Sequence, residues 1–341
     1  MNSTVYIHKK HLLGNISAIK SRLKTSVKSM AVIKDNGYGH GFDGVAKCLE
    51  PEVDWFCVAR AEEGVRMRDI GIQKPILVFE NPNTYTVEYY PKFKLTATVA
   101  DLNSFELLKS GTEFHINIDT GMRRLGILPN EVPEMIQKIE SRKDVLATGI
   151  YTHFSKADDP GNSEVEEQLN LFNTLRQKFD SSLMTHTANT GAIFHYPNLD
   201  LQFDAVRPGV SLFGYGAGDA IIKELSPVID WKSYLMQIKP IKKGESVSYG
   251  GRWIAPFDGY IGVIPVGYSS GIHRVLSSKI EYEIEGNLYP QVGTISMDYS
   301  MVFLGKNQFE TGTEITLLNP KELNAKNWAD KAGTIPYEIT T

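Results

Sequence analysis

A lysine stands where a buried strand is expected to end. In "SMAVIKDNGYGHGF", apolar and small residues run directly into Lys34, and a loop with three glycines, a tyrosine and a histidine follows. A lysine that is partly removed from water loses its proton more readily and becomes a nucleophilic amine. Such an amine forms a Schiff base with carbonyl substrates or with pyridoxal phosphate (PLP). The stretch therefore indicates covalent amine chemistry.

Other polar residues fall at or just after the predicted ends of strands: Arg124, His153, His186, Asn189, Thr190 and Arg207. The hydroxyls of Tyr38 and Thr190, with backbone N–H groups of glycine-rich turns, suit a phosphate group. Arg207 is a candidate partner for the nitrogen of a cofactor ring. Each residue also has a plain structural alternative, because Lys34 could be an exposed lysine, Arg207 a loop tie and the histidines core residues. On pattern alone these alternatives stay open.

Eight apolar, β-rich runs must position these side chains. They are "SMAVIK", "WFCVA", "PILVF", "LTATVA", "EFHINID", "ATGIYTHF", "LMTHTAN" and "DAVRPGVSLFG". Segments of helical periodicity separate them, and Ser163 is expected to cap the helix that contains Val165 and Leu169. Continuous apolar strands alternating with helices indicate a parallel sheet covered on both faces. Eight units predict a closed (β/α)₈ barrel of the TIM type, with an open doubly wound sheet as the other possibility.

The pattern changes after about residue 228, where short strand-like runs are separated by turns. These runs predict a mainly antiparallel β domain. We therefore expect a barrel over residues 1–228 and a C-terminal β domain over residues 229–341.

The composition excludes several classes of protein. The chain has 341 residues, 42% of them hydrophobic and 22% charged, and a formal net charge of -4. The charge does not favour binding to nucleic acid or to an anionic membrane, and the sequence has no apolar run long enough for a membrane span. Cys57 lies in the apolar run "WFCVA" and Cys48 has no metal or redox spacing, so we expect no metal site. A cytoplasmic location fits these features.

Eight stretches, in order, resemble the bacterial alanine racemases, which are fold-type III PLP enzymes. The stretches are "AVIKDNGYGHG", "NIDTGMRRLG", "THFSKADD", "HTANTGA", "VRPGVSLFGYG", "IPVGYSSG", "VGTISMDYS" and "GTIPYEI". The resemblance implies a PLP-dependent racemisation of L-alanine to D-alanine, which supplies cell-wall peptidoglycan.

The resemblance also implies a role for each matching residue. Lys34 holds PLP covalently and serves as one catalytic base, and Tyr268 of the partner subunit in a homodimer serves as the other. Arg124 and Met297 bind the substrate. The cofactor is contacted by Tyr38, His153, His186, Thr190, Arg207, Gly209 and Val210, of which Arg207 faces the ring nitrogen with His186 orienting it.

The sequence departs from the family pattern at several positions. "KDNGY" replaces lysine-alanine-asparagine-alanine-tyrosine, and "GYSSG" lacks the acidic residue of the usual "GYADG". Many members have a lysine, often carbamylated, where this chain has Asn117, so we expect no carbamylated lysine and consider a chloride near Asn117 and Arg124. Members usually continue past "GTIPYEI" into a basic segment, whereas this sequence ends at Thr341.

These departures keep three alternatives open. The protein could be a broad-specificity or serine racemase of the same family, or a PLP-binding homologue with impaired turnover because its C-terminal segment is short. A basic amino acid decarboxylase is the third, but such enzymes place a carboxylate at the ring nitrogen and use a cysteine of the C-terminal domain. Here Arg207 takes the first position, and no cysteine follows Cys57.

Overall fold

The computed structural model describes residues 2–218 and 220–341. Its strands are β1 (Thr4–Ile7), β2 (Lys28–Val32), β3 (Trp55–Val58), β4 (Ile76–Val78), β5 (Ala97–Val99), β6 (Glu113–Asn117), β7 (Leu146–Tyr151), β8 (Met184–Asn189), β9 (Ala205–Arg207), β10 (Ile229–Tyr234), β11 (Gln237–Ile241), β12 (Ser246–Val247), β13 (Trp253–Ile254), β14 (Gly259–Ile264), β15 (Glu281–Ile284), β16 (Asn287–Pro290), β17 (Ser300–Gly305) and β18 (Glu314–Leu318). Its helices are α1 (Lys9–Lys20), α2 (Lys34–Tyr38), α3 (Phe42–Leu49), α4 (Ala61–Asp69), α5 (Tyr89–Phe93), α6 (Leu102–Leu107), α7 (Val132–Ser141), α8 (Glu164–Arg176), α9 (Thr190–His195), α10 (Ala325–Ala332) and α11 (Pro336–Thr340). In this part of the chain no helix combines the length and the apolar character needed to cross a bilayer.

The chain divides into two compact units. Leu12–Leu225 forms one, called here the barrel unit, and the residues up to His11 together with Ser226–Thr341 form the C-terminal unit. In the barrel unit, β2 to β9 form one parallel sheet in which each strand pairs with the next and β9 pairs with β2. A parallel bridge between Leu77 and Thr96 joins β4 to β5. The ring of eight strands is therefore closed, and the predicted barrel is confirmed.

The barrel interior is filled by residues from several strands. Met30, Val32, Cys57, Leu77, Tyr151 and Ala205 form one buried cluster. They come from β2, β3, β4, β7 and β9, so alternate residues of the strands point to the barrel axis. Cys57 is fully buried in this cluster, which confirms its prediction as a small core residue.

The C-terminal unit is antiparallel, as predicted. It contains a five-stranded sheet in the order β1-β10-β18-β15-β16, a three-stranded sheet β11-β14-β17 and the pair β12-β13. The strand β1 runs antiparallel to β10, with Thr4 opposite Lys232 and Ile7 opposite Ile229. The predicted barrel domain of residues 1–228 differs from the structure here, because this pairing places the residues up to His11 in the C-terminal unit.

The predicted cap of α8 is wrong. Ser163 already has helical backbone angles and its side chain makes no capping hydrogen bond. Asn162 takes the role, since its Oδ1 accepts the N–H of Glu164 at 3.0 Å. The hydroxyl of Ser163 is therefore not needed at the start of this helix.

Candidate active site

The loop that carries Lys34 turns in a left-handed sense. The φ angles are 52° at Asp35, 56° at Asn36, 64° at Gly37, 52° at Tyr38 and 79° at Gly39. Each non-glycine residue in this region costs roughly 1–2 kcal/mol relative to a right-handed turn, although Asn and Asp tolerate it best. The surrounding structure must therefore supply contacts that hold the turn in place.

Three side chains provide such contacts. The Glu63 carboxylate accepts the backbone N–H of Asp35 at 2.6 Å and that of Ala59 at 2.8 Å. Asn36 Oδ1 accepts the N–H of Phe42 at 3.0 Å. His40 Nδ1 donates to the Tyr38 carbonyl at 2.7 Å. The turn after Lys34 is thus pinned at its start, its middle and its end.

The Lys34 side chain is 38% exposed, and its Nζ lies 3.4 Å from Asp35 Oδ2. Val32, the last residue of β2, is buried, so the lysine leaves the barrel core just as the strand ends. The Lys34 amine therefore lies on a partly buried stem beside one carboxylate, where an incoming molecule can reach it.

A group of hydroxyls and backbone N–H groups meets near the ends of β8 and β9. Thr190 Oγ1 accepts the N–H of Gly209 at 3.1 Å and lies 3.0 Å from Ser211 Oγ. Thr190 and Ser211 are both buried. A Cβ on Gly209 would lie 2.7 Å from Tyr38 Oη, so a larger residue there would require the Tyr38 hydroxyl to move. We call Tyr38, Thr190, Gly209 and Ser211 the hydroxyl cradle.

Arg207 ends β9 and is buried among acceptors. Its Nη1 donates to His186 Nδ1 at 2.6 Å and to the His186 carbonyl at 2.7 Å. Its Nη2 donates to the carbonyls of Thr152 at 2.7 Å and Thr187 at 3.1 Å. These bonds use the four terminal N–H groups and leave Nε–H as the donor for a bound molecule.

Arg207 stays positively charged although it is buried. Burial lowers the pKa of Arg207 to about 10, and the nearby Tyr151 acts in the opposite direction. The Tyr151 ring lies 5.0 Å from the guanidinium carbon and stacks on His186 at 4.8 Å. At neutral pH Arg207 is therefore a fixed cation, held by a cation–π contact as well as by hydrogen bonds.

Three cations surround the end of β7, where His153 lies. Burial, followed by the charges of Arg207, Arg124 and Lys34, lowers the pKa of His153 to about 3. His153 Nε2 is 3.3 Å from Asn189 Nδ2. This end of the barrel is positively charged, which suits a phosphate or a carboxylate.

Arg124 is exposed in the loop after β6. Asn117, the last residue of β6, is buried and donates through Nδ2 to the carbonyl of Leu125 at 3.0 Å. Asp119 accepts the N–H groups of Gly121 and Arg123 at 2.8 and 3.1 Å. These bonds fix the backbone on both sides of Arg124.

Tyr268 and Met297 lie in the C-terminal unit, on two loops that hydrogen-bond to each other. The N–H of Tyr268 donates to the Ser296 carbonyl, and the N–H of Ser269 to the Met297 carbonyl, each at 3.0 Å. A Cβ on Gly267 would lie 2.3 Å from the Ser296 carbonyl oxygen, so the loops need glycine there. Tyr268 is 42% exposed and Met297 54% exposed. Both side chains are thus presented on a rigid support.

The structure brings together, within the barrel unit, nine of the residues predicted from the sequence: Lys34, Tyr38, Arg124, His153, His186, Thr190, Arg207, Gly209 and Val210. The sequence prediction missed Ser211, Tyr151 and His115. His115 and Asn117 alternate with the apolar Phe114 and Ile116 along β6, and this alternation places the two polar residues on one face.

Profiles of known families match nearly the whole chain. Residues 7–217 match the N-terminal domain of alanine racemase, and residues 228–341 match its C-terminal domain. An alanine racemase of Thermodesulfovibrio yellowstonii is 35% identical over 356 aligned positions, covering 98% of this chain and 93% of its own. That of Haemophilus influenzae is 33% identical and covers 99% and 95%.

Solved structures agree with the sequence matches. The alanine racemase of Clostridium difficile 630 has a TM-score of 0.93 at 31% identity, over 100% of this chain and 93% of its own. An alanine racemase from E. faecalis has a TM-score of 0.92 at 29% identity, over 99% and 95%. Both domains and their order are thus shared along the whole chain, and the protein belongs to the alanine racemase family of isomerases.

Proposed function

We propose that this protein interconverts L-alanine and D-alanine with PLP bound covalently to Lys34, and that D-alanine made this way supplies cell-wall peptidoglycan. The observation that carries the proposal is the convergence of an amine, a buried guanidinium with a spare Nε–H and the hydroxyl cradle at one end of the barrel. Each of these groups matches one part of PLP: its aldehyde, its ring nitrogen and its phosphate.

The residues of the barrel unit fit this cofactor. The hydroxyl cradle offers Tyr38 and Thr190, and the backbone around Gly209 and Val210 adds N–H groups suited to phosphate oxygens. His153, with its pKa lowered to about 3, would lie neutral against the ring. The site's excess of cations would offset the charge of the phosphate.

Arg207 would set the protonation of the cofactor ring. Its pKa of about 10 keeps it charged at neutral pH, so it donates a hydrogen bond and cannot take up a proton. A permanent cation beside the ring nitrogen disfavours protonation of that nitrogen. This would restrict the site to reactions that need only brief negative charge at Cα, which favours proton transfer over decarboxylation.

Racemisation requires proton transfer on both faces of Cα. When bound, PLP withdraws electrons from the amino acid and so makes the Cα proton acidic. One base cannot easily serve both faces, and two are needed. In each direction one of these groups, Lys34 on one face or Tyr268 on the other, would remove the Cα proton in its unprotonated form, and the other would deliver a proton from its protonated form.

The second base is proposed to come from another copy of the chain. Lys34 lies in the barrel unit and Tyr268 in the C-terminal unit. The exposed phenol of Tyr268 and the exposed Met297 beside it are available to a partner. A homodimer with twofold symmetry would complete two sites at once.

Arg124 and Met297 are proposed to bind the substrate, with Arg124 facing the carboxylate. The Nδ2 of Asn117 bonds to the carbonyl of Leu125, directly after Arg124, so Asn117 supports this loop without a carbamylated lysine. A chloride beside Asn117 and Arg124 would balance the arginine charge further. Because a neutral amide replaces a charged group here, serine or a broader set of amino acids is the second candidate substrate class.

Proton exchange in deuterium oxide tests the proposal. The protein is loaded with PLP and incubated separately with L-alanine, L-serine and L-lysine, and the products are examined for chirality and for deuterium at Cα. Racemised alanine that carries deuterium is the expected result, and faster exchange of serine would select the second candidate. Release of carbon dioxide from lysine, or PLP absorbance without any exchange, would contradict the proposal.

A further inference from the structure

We propose that His115 is a positioning residue that acts with Arg207 to hold His186 in one tautomer: Arg207 requires His186 Nδ1 to accept, and His115 Nδ1 accepts the proton that His186 then carries on Nε2. The hydrogen bonds stand independently of the proposed function, and only the consequence for turnover rests on it. His115 belongs to β6 and His186 to β8, so the contact crosses the barrel interior.

The three side chains form a continuous hydrogen-bonded row. Arg207 Nη1 is 2.6 Å from His186 Nδ1. On the far side of the same ring, His186 Nε2 is 2.9 Å from His115 Nδ1. Both histidines are fully buried, and Arg207 is 3% exposed. Water therefore has little access to replace any of these bonds.

The protons available on the three side chains determine which atom donates in each hydrogen bond of the row. Arginine can only donate, so His186 Nδ1 must accept. A neutral His186 then carries its proton on Nε2 and donates it to His115 Nδ1. His115 in turn must carry its own proton on Nε2. The reverse tautomer of His115 would bring two N–H groups face to face, and the row would break.

Charge and packing support the neutral forms. Burial and then the charge of Arg207 lower the pKa of His115 to about 3, and the same two causes hold the pKa of His186 well below its ordinary value. Tyr151 stacks on His186 with ring planes 15° apart. A Cβ on Gly149 would lie 2.7 Å from His115 Nε2, so this side of the ring is tightly enclosed.

His115 Nε2 is itself buried without a hydrogen-bond partner among the described residues. A buried donor without an acceptor is unfavourable. A residue with a purely structural role would gain nothing from this arrangement, since an apolar side chain would fill the space at lower cost. The orphaned N–H is explained if what matters at His115 is the acceptor at Nδ1.

Two variants separate positioning from packing. His115→Phe removes the acceptor, whereas His115→Asn offers an amide oxygen near the place of Nδ1. Trp55→Phe is the packing control, because Trp55 touches the His115 ring at a centroid distance of 5.4 Å but takes no part in the row.

The test is a nitrogen-15 NMR measurement of histidine-labelled full-length protein without amino acid, in which the His186 signals are assigned by their loss in His186→Gln. We expect one tautomer of His186 with the proton on Nε2 in the parent protein, in His115→Asn and in Trp55→Phe. In His115→Phe we expect a mixture of tautomers, because the buried Nε2–H loses its acceptor while Arg207 still donates to Nδ1. A proton on Nδ1 in the parent protein, or an unchanged tautomer in His115→Phe, would overturn the proposal.

Activity gives a second and separable readout. In the PLP-loaded protein we expect kcat for alanine to fall severalfold in His115→Phe at similar KM, with partial recovery in His115→Asn. Equal losses in His115→Phe and His115→Asn would show that only packing matters and would contradict positioning. If the parent does not racemise alanine although its His186 tautomer is as expected, the proposed function fails and the positioning of His186 stands.

Discussion

Lys34, the proposed nucleophile, lies between two different segments of backbone. The strand before it is buried, and the turn after it is left-handed. The carboxylate of Asp35, 3.4 Å from Nζ, is the nearest countercharge, and this position is usually alanine in the resembling family. A nucleophilic lysine needs a fixed stem, and the buried strand and the held turn supply it.

Replacement of this lysine tests its covalent role. Lys34→Ala should abolish both the long-wavelength absorbance of protein-bound PLP and racemisation, because no other group is proposed to bond the aldehyde. Spectra and activity are compared with Lys47→Ala, an exposed lysine of α3, which should match the parent. Retained absorbance that survives removal of free PLP would contradict the assignment of Lys34.

A different role is proposed for the phenol of Tyr268, and its loss should leave the cofactor in place. Tyr268→Phe should keep the absorbance of bound PLP but lower kcat on the order of 10²–10⁴-fold, the range for a lost acid–base group. Tyr85→Phe, at a position 89% exposed in the barrel unit, is the control. Normal racemisation by Tyr268→Phe would show that the two-base assignment is wrong.

Some of the residues of the candidate site could be predicted from the sequence, and others could not. Lys34 and Arg207 stand out because a charged residue follows an apolar run. Ser211 and Tyr151 do not, since serine and tyrosine are common in ordinary cores and loops. Their importance follows from contacts to Thr190 and His186 between neighbouring strands or the segments that follow them, and these contacts join residues far apart in the sequence.

The turn after β2 shows what an element adds to these residues. Asp35, Asn36 and Tyr38 all have positive φ angles, a conformation that is unfavourable for residues with a Cβ. Glu63, Asn36 and His40 hold it through hydrogen bonds to the backbone. Gly37 and Gly39, which have no Cβ, occupy two further positions of positive φ and so limit the strain in this turn.

Two glycine-to-alanine substitutions compare this turn with an ordinary helix. Gly37 has a φ of 64° and enough space for a Cβ, since the nearest atom would be 3.6 Å away, so Gly37→Ala should lower the free energy of unfolding by about 1 kcal/mol through backbone strain alone. Gly44 lies exposed in α3 with nothing within 4 Å, and Gly44→Ala should raise it by about 0.5–1 kcal/mol. Urea denaturation measures both. A Gly37→Ala protein as stable as Gly44→Ala would contradict the strain.

At the level of elements, the eight barrel strands were predictable because each lies in a run rich in apolar or β-branched residues, with helical periodicity between the runs. The strand β1 was missed as part of the C-terminal unit, because its partner β10 lies more than two hundred residues away in the chain. Pairing between such distant segments depends on the folded topology. The cap of α8 was misplaced by one residue for a local reason, since both Asn162 and Ser163 can cap a helix.

The whole molecule should lose stability in weak acid. Burial lowers the pKa of His40 to about 4 and the pKa values of His115 and His153 to about 3, and it holds the pKa of His186 well below 6.5. Between pH 6.5 and these values the unfolded chain binds protons that the native chain does not. The contribution of these neutral histidines to the free energy of unfolding is therefore fully present above pH 6.5, and it declines as the pH falls.

The free energy of unfolding should fall by up to roughly 1.4 kcal/mol per pH unit for each buried histidine. Urea denaturation of the protein without PLP, at intervals from pH 7.5 to 4.5, measures it. His115→Asn should make the slope shallower by about one-quarter, because one of these four histidines is removed. A free energy of unfolding that stays constant between pH 6.5 and 4.5 would contradict neutral buried histidines.

Each proposed active site draws on two copies of the chain, one giving Lys34 and the other Tyr268. The two units of a single chain were predictable from the change in pattern near residue 228, but how copies assemble is not written in any local pattern. If each site takes Lys34 from one chain and Tyr268 from the other, mixing two defective variants should restore some activity. A dimer of one Lys34→Ala chain and one Tyr268→Phe chain would contain one intact site and one doubly defective site.

Mixing the two variants under conditions that exchange subunits is the most direct measurement. Random reassortment makes about half of the dimers mixed, so racemase activity should rise to about a quarter of the parent value. Each variant carried alone through the same exchange should stay at its own low activity. A mixture no more active than the average of its two components would show that Lys34 and Tyr268 do not come from different chains, and would contradict the account.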